Sequence, residues 1–228
     1  MTILTVNAKG GVGKSLVSSN LAFGLAQSGK KTELFDTDSS STHRPFWYEN
    51  EFQSENLTVS GLEGTPSATP PEFVIKDTGP GIHVLTRELL ADVALILLVT
   101  TPEPESLRLA VRSVQACLAA NPRIDVGIVT NMTQGPAAGS RLANRLSYDL
   151  TKHLSVQSVF SVHVPWDPLV VDSRVRQVLL SHSKPKARAS RALLGLAQQV
   201  QSYTPDTESL SLLPQLRVDY SSPEAKAA

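Results

Sequence analysis

The sequence predicts an α/β protein built on a single doubly wound parallel sheet. Short apolar runs of strand length alternate along the chain with helix-length amphipathic segments. The runs are continuous, as in strands covered on both faces by crossover helices. The 228 residues, 41% hydrophobic and 18% charged, suffice for one medium-sized domain with a real core.

Ile3–Val6 reads as the first strand. Ser15–Gln27 follows as a helix, with Gly29 as its stop signal. Thr32–Phe35 is the second strand. Further strands are expected at Phe73–Ile75, Ala94–Val99, Val126–Val129 and Val156–Phe160. Val93–Val99 is the longest purely apolar run, which marks a central strand and is far too short to span a membrane. Helices are expected at Glu105–Ala119, stopped by Asn121-Pro122, and at Gly139–His153, Val170–Leu180 and Ala189–Gln201. Gly61–Pro71 holds three prolines and two glycines and reads as a loop. Thr204–Ala228 has three prolines, little periodicity and a small acidic excess. These features divide the chain into a domain over 1–202 and a flexible tail over 203–228.

Composition excludes several classes. Lys+Arg and Asp+Glu both number 21, so no global charge points to nucleic acid or to a solvating tail. The single cysteine, Cys117, allows no internal disulfide and no cysteine-rich metal site. The start MTILTV carries no secretory signal, so a soluble cytoplasmic protein is expected. His43, His83, His153, His163 and His182 have no metal-ligand spacing. Trp47 and Trp166 read as packing residues, and Phe46-Trp47-Tyr48 as a possible dimer or partner surface.

The most informative stretch is Asn7-Ala8-Lys9-Gly10-Gly11-Val12-Gly13-Lys14-Ser15. It follows a strand and opens a helix, the context that a phosphate loop needs. Gly10, Gly11 and Gly13, with Val12 between them, let successive backbone N–H groups converge on phosphate oxygens. The helix N-terminus adds its partial positive charge. Lys14 then reaches the β- and γ-phosphates of ATP, and Ser15 ligates Mg²⁺. The strict G-x-x-x-x-G-K-[ST] pattern fails, because Ala8 stands at its first glycine. K-G-G-x-G-K-S fits instead, with a second lysine at Lys9.

With that variant motif, the sequence resembles the deviant Walker A ATPases of the ParA/MinD group, over about Met1–Gln201. Phe35-Asp36-Thr37-Asp38 resembles the family's second motif. Val74-Ile75-Lys76-Asp77-Thr78-Gly79-Pro80-Gly81 resembles its Walker B-like strand and switch II. Val129-Thr130-Asn131 resembles the strand end whose asparagine holds adenine, and Val164-Pro165-Trp166-Asp167 the loop that closes over the base. The resemblance implies a P-loop NTPase fold. It gives Asp38 the positioning of the attacking water and Asp77 the support of Mg²⁺. Asp36 organises the loop and metal shell, and Asn131, Pro165 and Asp167 serve the base. Lys9 reaches across an ATP-sandwiched homodimer to the partner's phosphates. Asp36, Asp38 and Asp77 also sit at expected strand ends, where α/β sheets bind ligands.

Redox branches of the family need cysteine pairs and kinase branches a tyrosine-rich tail; this chain has neither. The branches left are ParA-type DNA segregation, MinD-type membrane oscillation and FlhG-type control of flagellar number. Leu210–Ala228 contains Pro214 and Pro223 and two basic residues, so a basic membrane helix is not expected. Arg174, Arg176, Lys184, Lys186, Arg188 and Arg191 form a local basic segment without acidic residues, suited to DNA phosphates. The expected function is therefore an ATP-dependent dimerising switch that positions or segregates cargo. It binds nonspecific DNA in the ATP state and hydrolyses ATP slowly under the stimulus of a small partner protein. A MinD/FlhG-like regulator of division site or flagellar number is the alternative. A nucleotide sensor without hydrolysis, or an amidotransferase-linked synthetase, fits the motifs less well.

Overall fold

The computed structural model describes residues 1–37, 55–61 and 70–205. Its strands are β1 (Thr2–Val6), β2 (Thr32–Asp36), β3 (Leu57–Gly61), β4 (Phe73–Asp77), β5 (Val93–Thr100), β6 (Asp125–Thr133) and β7 (Ser158–Pro165). They form one sheet in the order β3-β2-β4-β1-β5-β6-β7, with every neighbouring pair parallel. The helices are α1 (Lys14–Gln27), α2 (Arg87–Leu90), α3 (Pro104–Ala120), α4 (Pro136–Leu154), α5 (Pro168–Val175), α6 (Leu180–Ser183) and α7 (Arg188–Ser202).

The sheet separates two cores. Leu95, Leu97 and Val99 of β5 join Ile3, Leu34 and Ile75 under α1 and α7. Ile96 and Leu98 turn the other way, with Leu4, Val126 and Ile128, under α3 and α4. Both faces of β5 are thus buried, which is why its sequence is an unbroken apolar run. From α7, Leu193, Leu196 and Val200 are fully buried, each contributing about 1.5–3 kcal/mol of apolar burial. Gly24 of α1 lets α7 approach closely: a Cβ there would lie 2.7 Å from that of Ala197.

Local signals explain the helix ends. Gly29, at φ 82°, closes α1 in a Schellman arrangement, with Lys30 N–H donating to Leu25 (3.1 Å) and Gly29 N–H to Ala26 (3.0 Å). Pro104 and Pro136 open α3 and α4 from the first turn. Both helices therefore begin ahead of the expected Glu105 and Gly139. Within α4, Gly139 packs directly against the ring of His163.

Three expectations need correction. The edge strand β3 was not anticipated; its Leu57 and Val59 face one core, so four residues and a glycine are enough to pair it with β2. The last strand is not Val156–Phe160 but Ser158–Pro165, because an edge strand keeps polar Ser161 and His163 that hide its run. The expected helix Val170–Leu180 is broken: Gln177 has φ 56°, and α6 starts afresh at Leu180. From the tail, Tyr203 is described and hydrogen-bonds through its hydroxyl to Asp125. Residues 206–228 and most of the expected loop, 62–69, lie outside the described residues. No helix among the described residues is long and apolar enough to cross a membrane.

Candidate nucleotide site

The loop from Asn7 to Gly13 joins the end of β1, at the centre of the sheet, to the start of α1. Gly11 and Gly13 have φ 76° and 96°, the left-handed region that an L side chain avoids. Asn7 holds the loop down: its amide donates to the Val99 carbonyl (2.8 Å) and its Oδ1 accepts from Lys9 N–H (2.9 Å). The Ser113 hydroxyl of α3 accepts from Ala8 N–H at 2.8 Å. Lys14 is buried, and its ammonium donates across the loop to the carbonyls of Asn7 (3.1 Å) and Lys9 (3.4 Å). Glycine backbone, buried cation and helix N-terminus therefore converge on one place, as an oligophosphate requires.

Beside it lies a row of strand ends. Thr5 of β1 is opposite Asp77 of β4, which is opposite Asp36 of β2. Oδ1 of Asp77 accepts from Ser18 (3.0 Å) and Thr5 (3.2 Å), and the Ser15 hydroxyl lies close enough to favour its ionised form. Burial raises the Asp77 pKa to about 6; the Ser15 and Ser18 hydrogen bonds hold it down, and the charge of Asp36 adds to the rise. The Ser15 hydroxyl with the two carboxylates is a hard oxygen set that suits Mg²⁺. Such a cation would hold Asp77 ionised, relieving the cost of its burial. Thr37 donates twice to the Asp77 carbonyl, from N–H (3.0 Å) and hydroxyl (2.8 Å), fixing the start of the segment that leads to Asp38. Asp38, Phe46, Trp47 and Tyr48 lie outside the described residues.

The turn after β4 is tied to the loop, with Gly81 N–H donating to the Ala8 carbonyl at 2.9 Å. Lys9 forms an ion pair with Glu103, just ahead of α3. Asn131 is buried and supports the phosphate loop: its amide donates to the Val12 carbonyl (2.8 Å) and its Oδ1 accepts from Met132 N–H (2.9 Å). A Cβ on Gly13 would sit 2.2 Å from that amide nitrogen. Asp167 is buried and caps helices. Its Oδ1 accepts from Leu169 N–H of α5 (3.0 Å), and its Oδ2 from Ala189 N–H of α7 (3.2 Å).

An open pocket of about 460 Å³ lies at the carboxyl ends of β6 and β7, lined by Met132, Thr133, Gln134, Pro165, Trp166 and Arg188. Trp166 is 55% exposed there, so it lines the pocket beside the expected base loop instead of packing in the core. All six basic residues of the 174–191 segment are exposed. Arg176 pairs with Asp172 (2.8 Å), and Arg188 belongs to the pocket. Asn7, Thr5, Ser18, Glu103 and Gln134 were not singled out from sequence. Thr5 and Ser18 sit mid-element, where a hydroxyl carries no spacing signal, and Asn7, Glu103 and Gln134 lie in turns where only a hydrogen bond, an ion pair or the pocket lining reveals them.

The profile of the CobQ/CobB/MinD/ParA nucleotide-binding domain matches residues 3–180. The chain belongs to this family. Among known members, the flagellum site-determining protein YlxH of Helicobacter pylori is 25% identical over 186 residues, covering 63% of this chain and 62% of that one. The chain thus matches less than two thirds of that relative. The cytosolic Fe-S cluster assembly factor NUBP2 of Gallus gallus is 27% identical over 249 residues, covering 87% and 90%. Among solved structures, the septum site-determining protein MinD of Pyrococcus horikoshii, complexed with Mg-ADP, covers 89% of this chain and 97% of its own with a TM-score of 0.65. At 17% identity that likeness speaks for the family's fold.

Proposed function

We propose that this protein is an ATP-hydrolysing, dimerising switch that positions or segregates cargo. The observation that carries the reading is the phosphate loop, with left-handed Gly11 and Gly13 around a buried Lys14, placed beside Ser15 and Asp77. In this reading the loop N–H groups and Lys14 take the charge of the β- and γ-phosphates, and Ser15 and Asp77 hold Mg²⁺, with Asp36 supporting the shell. The metal supplies charge neutralisation between the phosphates. Asp38 orients the attacking water. Lys9 leaves Glu103 and reaches the phosphates held by a second copy of the chain, so the site is complete only in the dimer. The cation that Lys9 supplies in trans would accelerate phosphoryl transfer by about 10³–10⁵, and a small partner protein then stimulates a slow basal hydrolysis by completing the site.

Lys14→Ala should abolish tight Mg-ATP binding by calorimetry; unchanged affinity would reject the site. Asp38→Ala should bind ATP and accumulate as a dimer in light scattering, whereas a monomer at saturating ATP would reject the switch.

We further propose nonspecific DNA as the surface that the ATP dimer binds. Arg174, Lys184, Lys186 and Arg191 are exposed and have no ion-pair partner among the described residues. With about six phosphates contacted by the dimer, the log–log salt slope should be about −5. The likeness to a flagellum site-determining protein favours the second reading, control of flagellar number or division site. Fluorescence anisotropy with random duplex DNA decides: no ATP-dependent, salt-sensitive binding puts the second reading first. Cluster assembly, the role named for NUBP2, is not supported here. Cys117 is fully buried, and burial pushes its thiol up to about 12, so it offers no thiolate.

A further inference from the structure

We infer that Ser113 of α3 is a positioning residue for Lys14, acting through the peptide unit between Asn7 and Ala8. The inference rests on the ATP reading above and deepens it, by adding to the phosphate site a residue that lies outside its motif. Ala8 stands where the strict pattern has glycine, and it lacks the left-handed backbone that would call for one. Its N–H is committed to another element, donating to the Ser113 hydroxyl at 2.8 Å. That hydroxyl gives its own hydrogen to the Leu109 carbonyl, also at 2.8 Å, which leaves its lone pairs for Ala8. Ser113 is fully buried, so water does not reach the pair to replace it.

The Ala8 N–H and the Asn7 carbonyl belong to one planar trans peptide, on which they point in opposite directions. Ser113 holds one edge of that plane. The other edge accepts from the Lys14 ammonium at 3.1 Å. Fixing the first therefore aims the second. The next plane is fixed too, since Asn7 Oδ1 accepts from Lys9 N–H (2.9 Å) and the Ala8 carbonyl from Gly81 N–H (2.9 Å). Packing alone does not account for a hydroxyl at this place. Ser106, Ala110 and Ser113 recur at helical spacing on the buried face of α3, where Val114 and Cys117 are apolar. Ser106 serves the start of its own helix, accepting from Thr101 N–H at 3.1 Å. Ser113 lies two turns further in, away from either helix end, and its bond beyond α3 is to the loop.

The test uses the full chain. Calorimetry with Mg-ATP, and with inorganic tripolyphosphate and Mg²⁺, is run on wild type, Ser113→Ala, Ser113→Cys and Ser190→Ala. Ser113→Ala should weaken both ligands equally, by about tenfold, because the freed peptide no longer aims the ammonium at the phosphates. Ser113→Cys keeps nearly the same shape with a poorer acceptor, so it should fall between wild type and alanine. Ser190 of α7 is the control for stability, a fully buried serine that donates to the Lys184 carbonyl at 2.7 Å. Ser190→Ala should lower Tm to a similar degree and leave both affinities unchanged. Hydrogen exchange by NMR reads the bond itself: the Ala8 amide of the free chain should exchange about tenfold faster in Ser113→Ala. Unchanged Ala8 exchange, unchanged affinities in Ser113→Ala, or a loss for ATP without one for tripolyphosphate would overturn the role. So would Ser113→Cys equal to wild type, since shape would then suffice, or equal losses in Ser190→Ala, since affinity would then follow stability. Each of these results leaves the phosphate site standing. A wild-type chain that binds neither ligand would overturn the ATP reading itself, and this role with it.

Discussion

At the ends of β1 and β4, Thr5, Lys14 and Asp77 are buried and bonded to one another or to the loop they serve. At the ends of β6 and β7, Met132 and Trp166 stand exposed around an open pocket, with Arg188 beside them. The phosphate half is preorganised: its hydrogen bonds already exist and only its electrostatic complement comes from outside. The pocket half is open, and what it would gain on binding a ligand is the covering of apolar area. The first half can therefore be broken by one methyl group, whereas the second yields gradually, one wall at a time. Asn131 joins the halves, since its backbone leads into the pocket and its amide holds Val12.

Gly13→Ala should show the largest effect. The new Cβ would lie 2.2 Å from the Asn131 amide nitrogen, and φ 96° is unfavourable for alanine. The loop must shift and several N–H groups lose their aim, each charge-assisted bond being worth about 1.5–3 kcal/mol. ATP and tripolyphosphate should both weaken by about a hundredfold or more in calorimetry. Adding Asn131→Ala removes the collision but not the backbone strain, so the double variant should recover only part. Full recovery would show that the left-handed backbone is not needed.

Asp77→Asn separates stability from binding. The folded, nucleotide-free chain titrates Asp77 at about 6, against an ordinary 3.8. Above pH 6 the group is ionised in both folded and unfolded chains, and the folded one carries the burial cost. Below about pH 4 it is protonated in both, and the cost is gone. The difference between the two pKa values corresponds to about 3 kcal/mol. Without nucleotide, Asp77→Asn should therefore raise Tm at pH 8, and the gain should fade as pH drops from 6 towards 4. With Mg-ATP the order should reverse, because the variant lacks the metal-supporting charge. A gain independent of pH would show that the carboxylate is not held against its burial.

The same contrast explains what was legible in the sequence. The phosphate half condenses into one strand–loop–helix, so Lys9 to Ser15 announce it by spacing alone, and Asp36 and Asp77 follow as strand ends. The pocket half is drawn from three distant segments, 132–134, 165–166 and 188. No spacing links them: only the resemblance brings Asn131 and the Val164–Asp167 loop, with Trp166 in it, together, and Arg188 reads as part of a basic run. Asp167 was placed at the base by resemblance, yet both its oxygens bond helix N-termini. In the fold, the central strands were plain because burial on both faces demands unbroken apolar runs. The edges β3 and β7 were missed or shortened because one-sided burial leaves a weaker pattern.

Glu103→Gln should have the smallest effect, and it tests whether the phosphate half is held back as well as preformed. Lys9 and Glu103 are 21% and 59% exposed as side chains, so water screens their ion pair and its contribution to stability is at most about 1 kcal/mol. Tm should therefore hardly move. In the proposed cycle, however, Lys9 must leave Glu103 before it can meet the phosphates held by another copy of the chain. Removing the carboxylate removes that competition, so dimerisation should tighten by up to about fivefold, the equivalent of about 1 kcal/mol. Sedimentation of Asp38→Ala with and without Glu103→Gln, at saturating Mg-ATP, measures this without hydrolysis. The gain should shrink at high salt, where the pair is already screened. A Glu103→Gln dimer no tighter than its parent at low salt would make the pair a bystander. The phosphate half would then be limited only by the meeting of two chains.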